Sequence, residues 1–159
     1  MDEAEIIIAR LGLAPLPDEG GFFRRMWTAP TAPGVRPAGT AILYLVTPAG
    51  FSALHRLPTD EVWHFHAGDP LALMWLMPGG AIERATLGAD IVAGHQPQAV
   101  VPVGAWQGAR LADGAARGWS LVGCTLAPGW DEKEFTLGDR AALCREFPAA
   151  ADEIIRLTR

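Results

Sequence analysis

A chain of 159 residues that is 50% hydrophobic and 19% charged buries enough apolar surface to offset chain entropy, which excludes disorder for most of its length. A formal net charge of −5, with no basic stripe, argues against nucleic acid as a partner. No apolar run approaches the roughly 20 residues of a membrane helix, while 18 Gly and 13 Pro imply frequent turns and short strands.

The acidic start Met1-Asp2-Glu3-Ala4-Glu5 lacks the basic residues of an export signal. A cytoplasmic protein with two reduced thiols, Cys124 and Cys144, is therefore expected. Asp2 to Leu13 reads as a short amphipathic helix with Gly12 near its end. Pro15–Gly21 is a turn-rich connection, Phe22–Thr28 an edge strand, and Ala29–Gly39 a mobile loop with three prolines and two glycines. The period then changes to two. Strands are predicted over Thr40–Thr47, Phe51–Leu57, Glu61–Ala67, Leu71–Met77, Ala81–Leu87, Ala99–Val103, Trp106–Ala112 and Trp119–Ala127. Turn residues separate them at spacings of about ten, which suggests a sandwich or barrel. A helix is predicted over Asp139–Phe147 with Asp139 as N-cap. Pro148 stops it, and Ala149–Leu157 adds a last helical turn or two. The whole reads as one domain: residues 1–39 form a helix, strand and loop, 40–135 the barrel core, and 139–157 a closing helical segment.

All four histidines fall between positions 55 and 95, three of them within twelve residues. Strand alternation puts His55 on one face with Phe51, Ala53 and Leu57, and Glu61 on one face with Trp63 and Phe65. If these strands are antiparallel neighbours across Pro58–Asp60, His55 and Glu61 both point inward. A buried imidazole and carboxylate are expensive unless paired, metal-bound or wetted. His64 and His66 take the opposite face and read as facing a second sheet, a subunit interface or solvent. Cys124, inside the apolar run Leu121–Leu126, reads as a core residue, not a nucleophile.

These residues resemble the cupin superfamily. Its first motif, G-x5-H-x-H-x3-E-x6-G, aligns on His55, Glu61 and Gly68, with Leu57 in place of the second histidine and Gly50 one residue too close. Its second, G-x5-P-x-G-x2-H-x3-N, aligns on Pro102 and Gly104, with Gln107 in the histidine place and Leu111 in the asparagine place. The chain is more specifically similar to the cupin-5 family. That likeness rests on Glu19-Gly20-Gly21-Phe22-Phe23-Arg24, Thr40–Leu45, Phe51–Leu73 with Asp60-Glu61-Val62-Trp63-His64-Phe65, Val101–Ala109, Leu121–Gly129 and Ile154–Arg159. It implies an all-β double-stranded β-helix, the cupin jelly-roll barrel, with short N- and C-terminal helices and a commonly dimeric state. It implies no particular activity, because one fold hosts many functions; the likeness to sugar-nucleotide epimerases and isomerases is one of fold.

Three readings of the barrel interior stand. In the first, His55, Glu61 and Gln107 hold one divalent metal ion, with water or substrate in the open positions. In the second, His55 and Glu61 are catalytic acid–base groups for an isomerase- or epimerase-like reaction on a sugar-like or keto substrate. There Gln107 holds a substrate oxygen, Phe51, Trp63 and Trp75 supply apolar walls, and Tyr44 lines the cavity. Arg24 and Arg25 are placed to cap the barrel mouth or to reach an anionic substrate; Arg24, part of the family phrase, is the candidate of the two, and Arg25 reads rather as a solvated edge. In the third, the barrel binds a small ligand without catalysis, or is structural and holds no native metal. A homodimer is expected, because jelly-roll sheets leave an apolar outer face and edges to cover.

Overall fold

The structure is a computed structural model that describes residues 1–159. Helix α1 (Glu3–Leu11) begins at a capping box, in which Asp2 accepts from the Glu5 backbone N–H and Glu5 accepts from that of Asp2. It ends at Gly12, whose φ of 62° is the left-handed cap that glycine adopts without strain. Eleven strands follow: β1 (Ala14–Pro15), β2 (Phe22–Thr28), β3 (Thr40–Val46), β4 (Ser52–Arg56), β5 (Glu61–Gly68), β6 (Leu71–Leu76), β7 (Ile82–Leu87), β8 (Gln98–Val101), β9 (Trp106–Leu111), β10 (Ser120–Leu126) and β11 (Thr136–Leu137). They form two antiparallel sheets, ordered β1-β2-β3-β10-β5-β8 and β11-β4-β9-β6-β7. This is the expected jelly roll, with every predicted strand present to within two residues at either end.

The inner faces follow from the period of two. Tyr44, Val46, Trp63, Val101, Val122 and Cys124 from one sheet meet Leu71, Leu73, Ala109 and Leu111 from the other in a single apolar core. The outer faces are partly covered by helix. Ile7, Ile8 and Leu11 of α1 pack on Leu45 and Trp119 of the six-stranded sheet. Helices α2 (Arg140–Glu146) and α3 (Ala151–Arg156) lay Leu143, Ile154 and Leu157 on Leu54, Met74 and Leu76 of the five-stranded sheet. Asp139 caps α2 by accepting from Ala142 N–H at 2.8 Å. No helix is long and apolar enough to cross a membrane.

Two features depart from the sequence-based expectation. Strands β4 and β5 are not hairpin neighbours; each belongs to a different sheet, and residues 57–60 cross between the sheets. His55 and Glu61 therefore approach one another across the interior. Strand β4 also carries a bulge, since Ser52 pairs with Ala109 and His55 with Gln107. Three steps on one strand match two on the other, so alternation resets, and Ser52 shares the face of His55 while Phe51 does not.

Candidate functional site

Three buried ionisable groups meet at one end of the interior. His55 comes from β4, is 2% exposed, and stacks against Phe135 with ring centroids 5.4 Å apart. Glu61 opens β5 from the opposite sheet. Glu19 arrives from the turn before β2. Asp18 has a φ of 62°, Gly20 of 100° and Gly21 of 69°, a left-handed run that folds the chain back tightly. A Cβ on Gly21 would lie 2.7 Å from the Tyr44 ring and 2.8 Å from the Leu45 carbonyl, so only glycine passes there. The turn is held down by Ala53 N–H donating to Glu19 O at 2.8 Å, by Tyr44 Oη donating to Gly20 O at 2.8 Å, and by the Arg159 guanidinium on the carbonyls of Asp18 and Glu19.

The hydrogen bonds assign donors and acceptors. Ser52 Oγ donates to Glu19 Oε1 at 2.7 Å. The His55 ring places Nδ1 2.8 Å from the Ala53 carbonyl, which can only accept, so Nδ1 carries a proton. His55 Nδ1 lies 3.9 Å from Glu19 Oε1, and Nε2 lies 3.9 Å from Glu61 Oε2. Those separations are too long for hydrogen bonds but short enough for strong Coulomb attraction at low dielectric. Burial is the largest influence on His55 and favours the neutral ring. The carboxylates of Glu19 and Glu61, with the Ala53 carbonyl, outweigh it and hold the imidazole at a pKa of about 9. Burial likewise pushes Glu19 above the usual carboxylate range, against the pull of His55.

These groups border a cavity of about 160 Å³. Glu19, His55, Glu61 and Arg25 are its acidic and basic lining; Leu16, Phe23, Ile42, Tyr44, Leu57, Leu126 and Trp130 supply most of the rest. Cys124 also faces it. Burial, then the charges of Glu61 and Glu19, push its thiol well up, so it stays protonated and unreactive.

The family model described as cupin superfamily (DUF985) matches residues 5–138. The chain belongs to the cupin-5 family. It is similar over its full length to two solved structures. A hypothetical protein from Leishmania major is 35% identical, with 98% of each chain covered and a TM-score of 0.89. A protein from Shewanella oneidensis is 35% identical, with 100% of this chain and 99% of the other covered and a TM-score of 0.90. A cupin-2 domain protein from Rhodospirillum rubrum shares the fold at 18% identity and a TM-score of 0.60, covering 92% and 89% of the two chains. No curated protein matches.

Many cupins hold a metal at this place, but the donors of this cupin-5 chain do not fit a tightly held divalent ion. Leu57 has no donor atom. Gln107 is pinned: Trp63 Nε1–H, a donor only, gives its hydrogen bond to Gln107 Oε1 at 2.8 Å, while Gln107 Nε2 donates to Glu61 Oε2 at 2.6 Å. The amide therefore offers Glu61 an N–H and keeps its oxygen turned away. His55 Nδ1 is occupied by Ala53 O. No group of three or more His, Cys, Asp and Glu side chains gathers in ligand geometry. Zinc or manganese at about tenfold excess is expected to leave the melting temperature within about 1 °C of the metal-free value, because a metal whose Kd is at or above its concentration adds no more than about 0.4 kcal/mol; differential scanning fluorimetry checks this.

The other sequence-predicted residues are placed as follows. Tyr44 lines the cavity. Trp63 is buried behind it, edge-to-face at 6.1 Å, and orients Gln107 instead of touching the space. Trp75 faces the core beyond Gln107. Phe51 lies outside, under the Arg159 guanidinium at 4.3 Å. Arg24 points outward and caps α1 by donating to Leu11 O at 3.0 Å, whereas Arg25 lines the cavity. His64 sits on the outer face, with Nδ1 accepting from Gln98 at 2.7 Å and Nε2 facing Thr125 Oγ1 at 3.0 Å, so both ring nitrogens are engaged.

Glu19, Trp130 and Phe135 carry no signal of period as site residues, and the preference for Arg24 over Arg25 is reversed. For Glu19 one signal exists, a carboxylate immediately before a Gly-Gly pair inside a phrase shared with the family. Phe22-Phe23 and Arg24-Arg25 are identical pairs, so no alternation can say which member faces inward.

Proposed function

We propose that the barrel cavity binds a small carbonyl compound and that His55 and Glu61 move its protons. The supporting observation is that the His55 ring and the Glu19 and Glu61 carboxyl groups border one cavity, with each carboxyl 3.9 Å from a ring nitrogen, so that a ligand in the cavity can reach both His55 and Glu61. A pKa of about 9 makes His55 an acid at neutral pH, so the base role falls to a carboxylate. Glu61 takes the proton from the carbon next to the carbonyl. The C–H electron pair forms the new C=C bond, and the carbonyl π pair moves onto oxygen, which takes the His55 Nε2 proton. Returning the protons to the other carbon, or to the other face, completes an isomerisation or epimerisation. Gln107 holds Glu61 in place, and Ser52 with the Glu19 turn holds the negative charge that keeps His55 protonated.

The test is solvent exchange. Small keto compounds incubated with the protein in D2O are expected to lose their α-proton signal in the proton NMR spectrum. His55→Gln should slow the exchange by roughly 100-fold or more, the usual contribution of a positioned acid. Saturable binding without any exchange would assign the cavity to ligand binding alone and overturn the catalytic step.

A further inference from the structure

Arg25 lines the cavity but makes no salt bridge and no side-chain hydrogen bond within the chain. Every other cavity-lining charge lies beside an opposite one: Glu19 and Glu61 flank His55. Arg25 and Glu61 form no ion pair. They project from β2 and β5, three strand spacings apart in the order β2-β3-β10-β5, so roughly 14 Å separates their backbones. Burial pulls the Arg25 guanidinium below its usual range, which marks it as partly desolvated. Arg25 is otherwise exposed to solvent, so its guanidinium stands at the cavity rim with its donors free for an anion that supplies paired acceptors, and its fork geometry suits a carboxylate.

The volume limits what that anion belongs to. A cavity of about 150 Å³ holds one benzene molecule, so about 160 Å³ admits a ligand of about six to ten non-hydrogen atoms. A nucleotide does not fit inside. The walls between the two charged ends are Phe23, Ile42, Leu126 and Trp130, which suit an apolar midsection.

We infer that the ligand is a small monocarboxylate of benzene-like size, its carboxylate on Arg25 and its carbonyl or hydroxyl end at His55 and Glu61. This rests on the proposed cavity function and adds the charge, size and orientation of what it binds. The arrangement separates the anionic end of the ligand from the protein's own carboxylates and brings its reactive end to the acid–base pair.

The probes are 2-oxobutanoate and benzoate, each compared with its uncharged amide, added to protein carrying 15N-labelled histidine. The two acids are expected to bind and to shift the His55 ring resonances, and the amides to bind at least tenfold more weakly. Arg25→Gln should remove that preference by weakening the acids about tenfold, and Arg25→Lys should restore part of it. Arg25 is exposed on its outer side, so both variants are expected to fold. If acids and amides shift the His55 resonances equally, or if Arg25→Gln binds the acids as well as the parent, the anion assignment is overturned while the cavity reading stands. If neither acids nor amides move the His55 resonances at millimolar concentration, both the assignment and the cavity reading fail.

Discussion

His55→Leu is expected to lower the unfolding free energy at pH 7 by about 3–5 kcal/mol, the range for removing one partner of a buried ionic group. Leucine nearly matches imidazole in volume, so packing against Phe135 is largely kept. What is lost is the positive charge between Glu19 and Glu61, which are only 8% and 6% exposed. Their remaining support is one hydrogen bond each, from Ser52 Oγ and Gln107 Nε2. Two facing carboxylates at low dielectric repel, and each also carries a desolvation penalty. Protonation relieves both. Urea denaturation should therefore show the deficit of His55→Leu shrinking as pH falls from about 7 toward about 4. Adding Glu19→Gln to His55→Leu should recover part of the loss at neutral pH. A deficit that is the same at both pH values would mean that lost packing, not uncompensated charge, is responsible.

The parent protein is expected to lose stability on the alkaline side. The folded pKa of His55, about 9, lies above the unfolded value of about 6.5. A group raised in the folded state contributes fully below its unfolded pKa, and the contribution disappears as pH climbs through the folded pKa. The window thus runs from about pH 6.5 to about pH 9, and a gap of that width corresponds to about 3 kcal/mol. Glu19 has the same sign. Burial raises it above its unfolded value, so its ionisation also lowers stability as pH rises, starting in the acid range. Denaturation at about pH 6.5 and about pH 9.5 should show the decline in the parent and a clearly smaller one in His55→Gln, where the buried Cys124 thiol, held up in the folded state, still contributes above about pH 8.5. Stability that rises across this window would contradict a protonated His55.

How much of this was legible in the chain follows from which physical signals survive in one dimension. The jelly roll was legible because short period-two runs alternate with Gly- and Pro-rich turns. The His55–Glu61 pair was legible through its spacing, although for an incomplete reason: the expected hairpin is a crossover between sheets, and the two side chains meet across the interior. Alternation failed wherever backbone pairing is irregular. The bulge in β4 leaves Phe51 off the face of His55 and puts Ser52 on it, against Glu19, and nothing in Phe51-Ser52-Ala53-Leu54-His55 announces an extra residue. Identical neighbours erased the parity of Arg24 and Arg25. Glu19, Trp130 and Phe135 reach the site from turns and irregular chain, which carry no period to extrapolate. The orientation of Gln107 depends on an indole 44 positions away, a contact that only the fold creates.

The most direct test of the central claim, that a charged imidazole faces two carboxylates beside an open space, is the 15N spectrum of the His55 ring from about pH 5 to about pH 10. Both ring nitrogens should report the protonated form through neutrality, with a midpoint near 9, and Glu61→Gln should lower that midpoint. A ring that is neutral at pH 7, or that titrates at or below the ordinary histidine value of about 6.5, would contradict it.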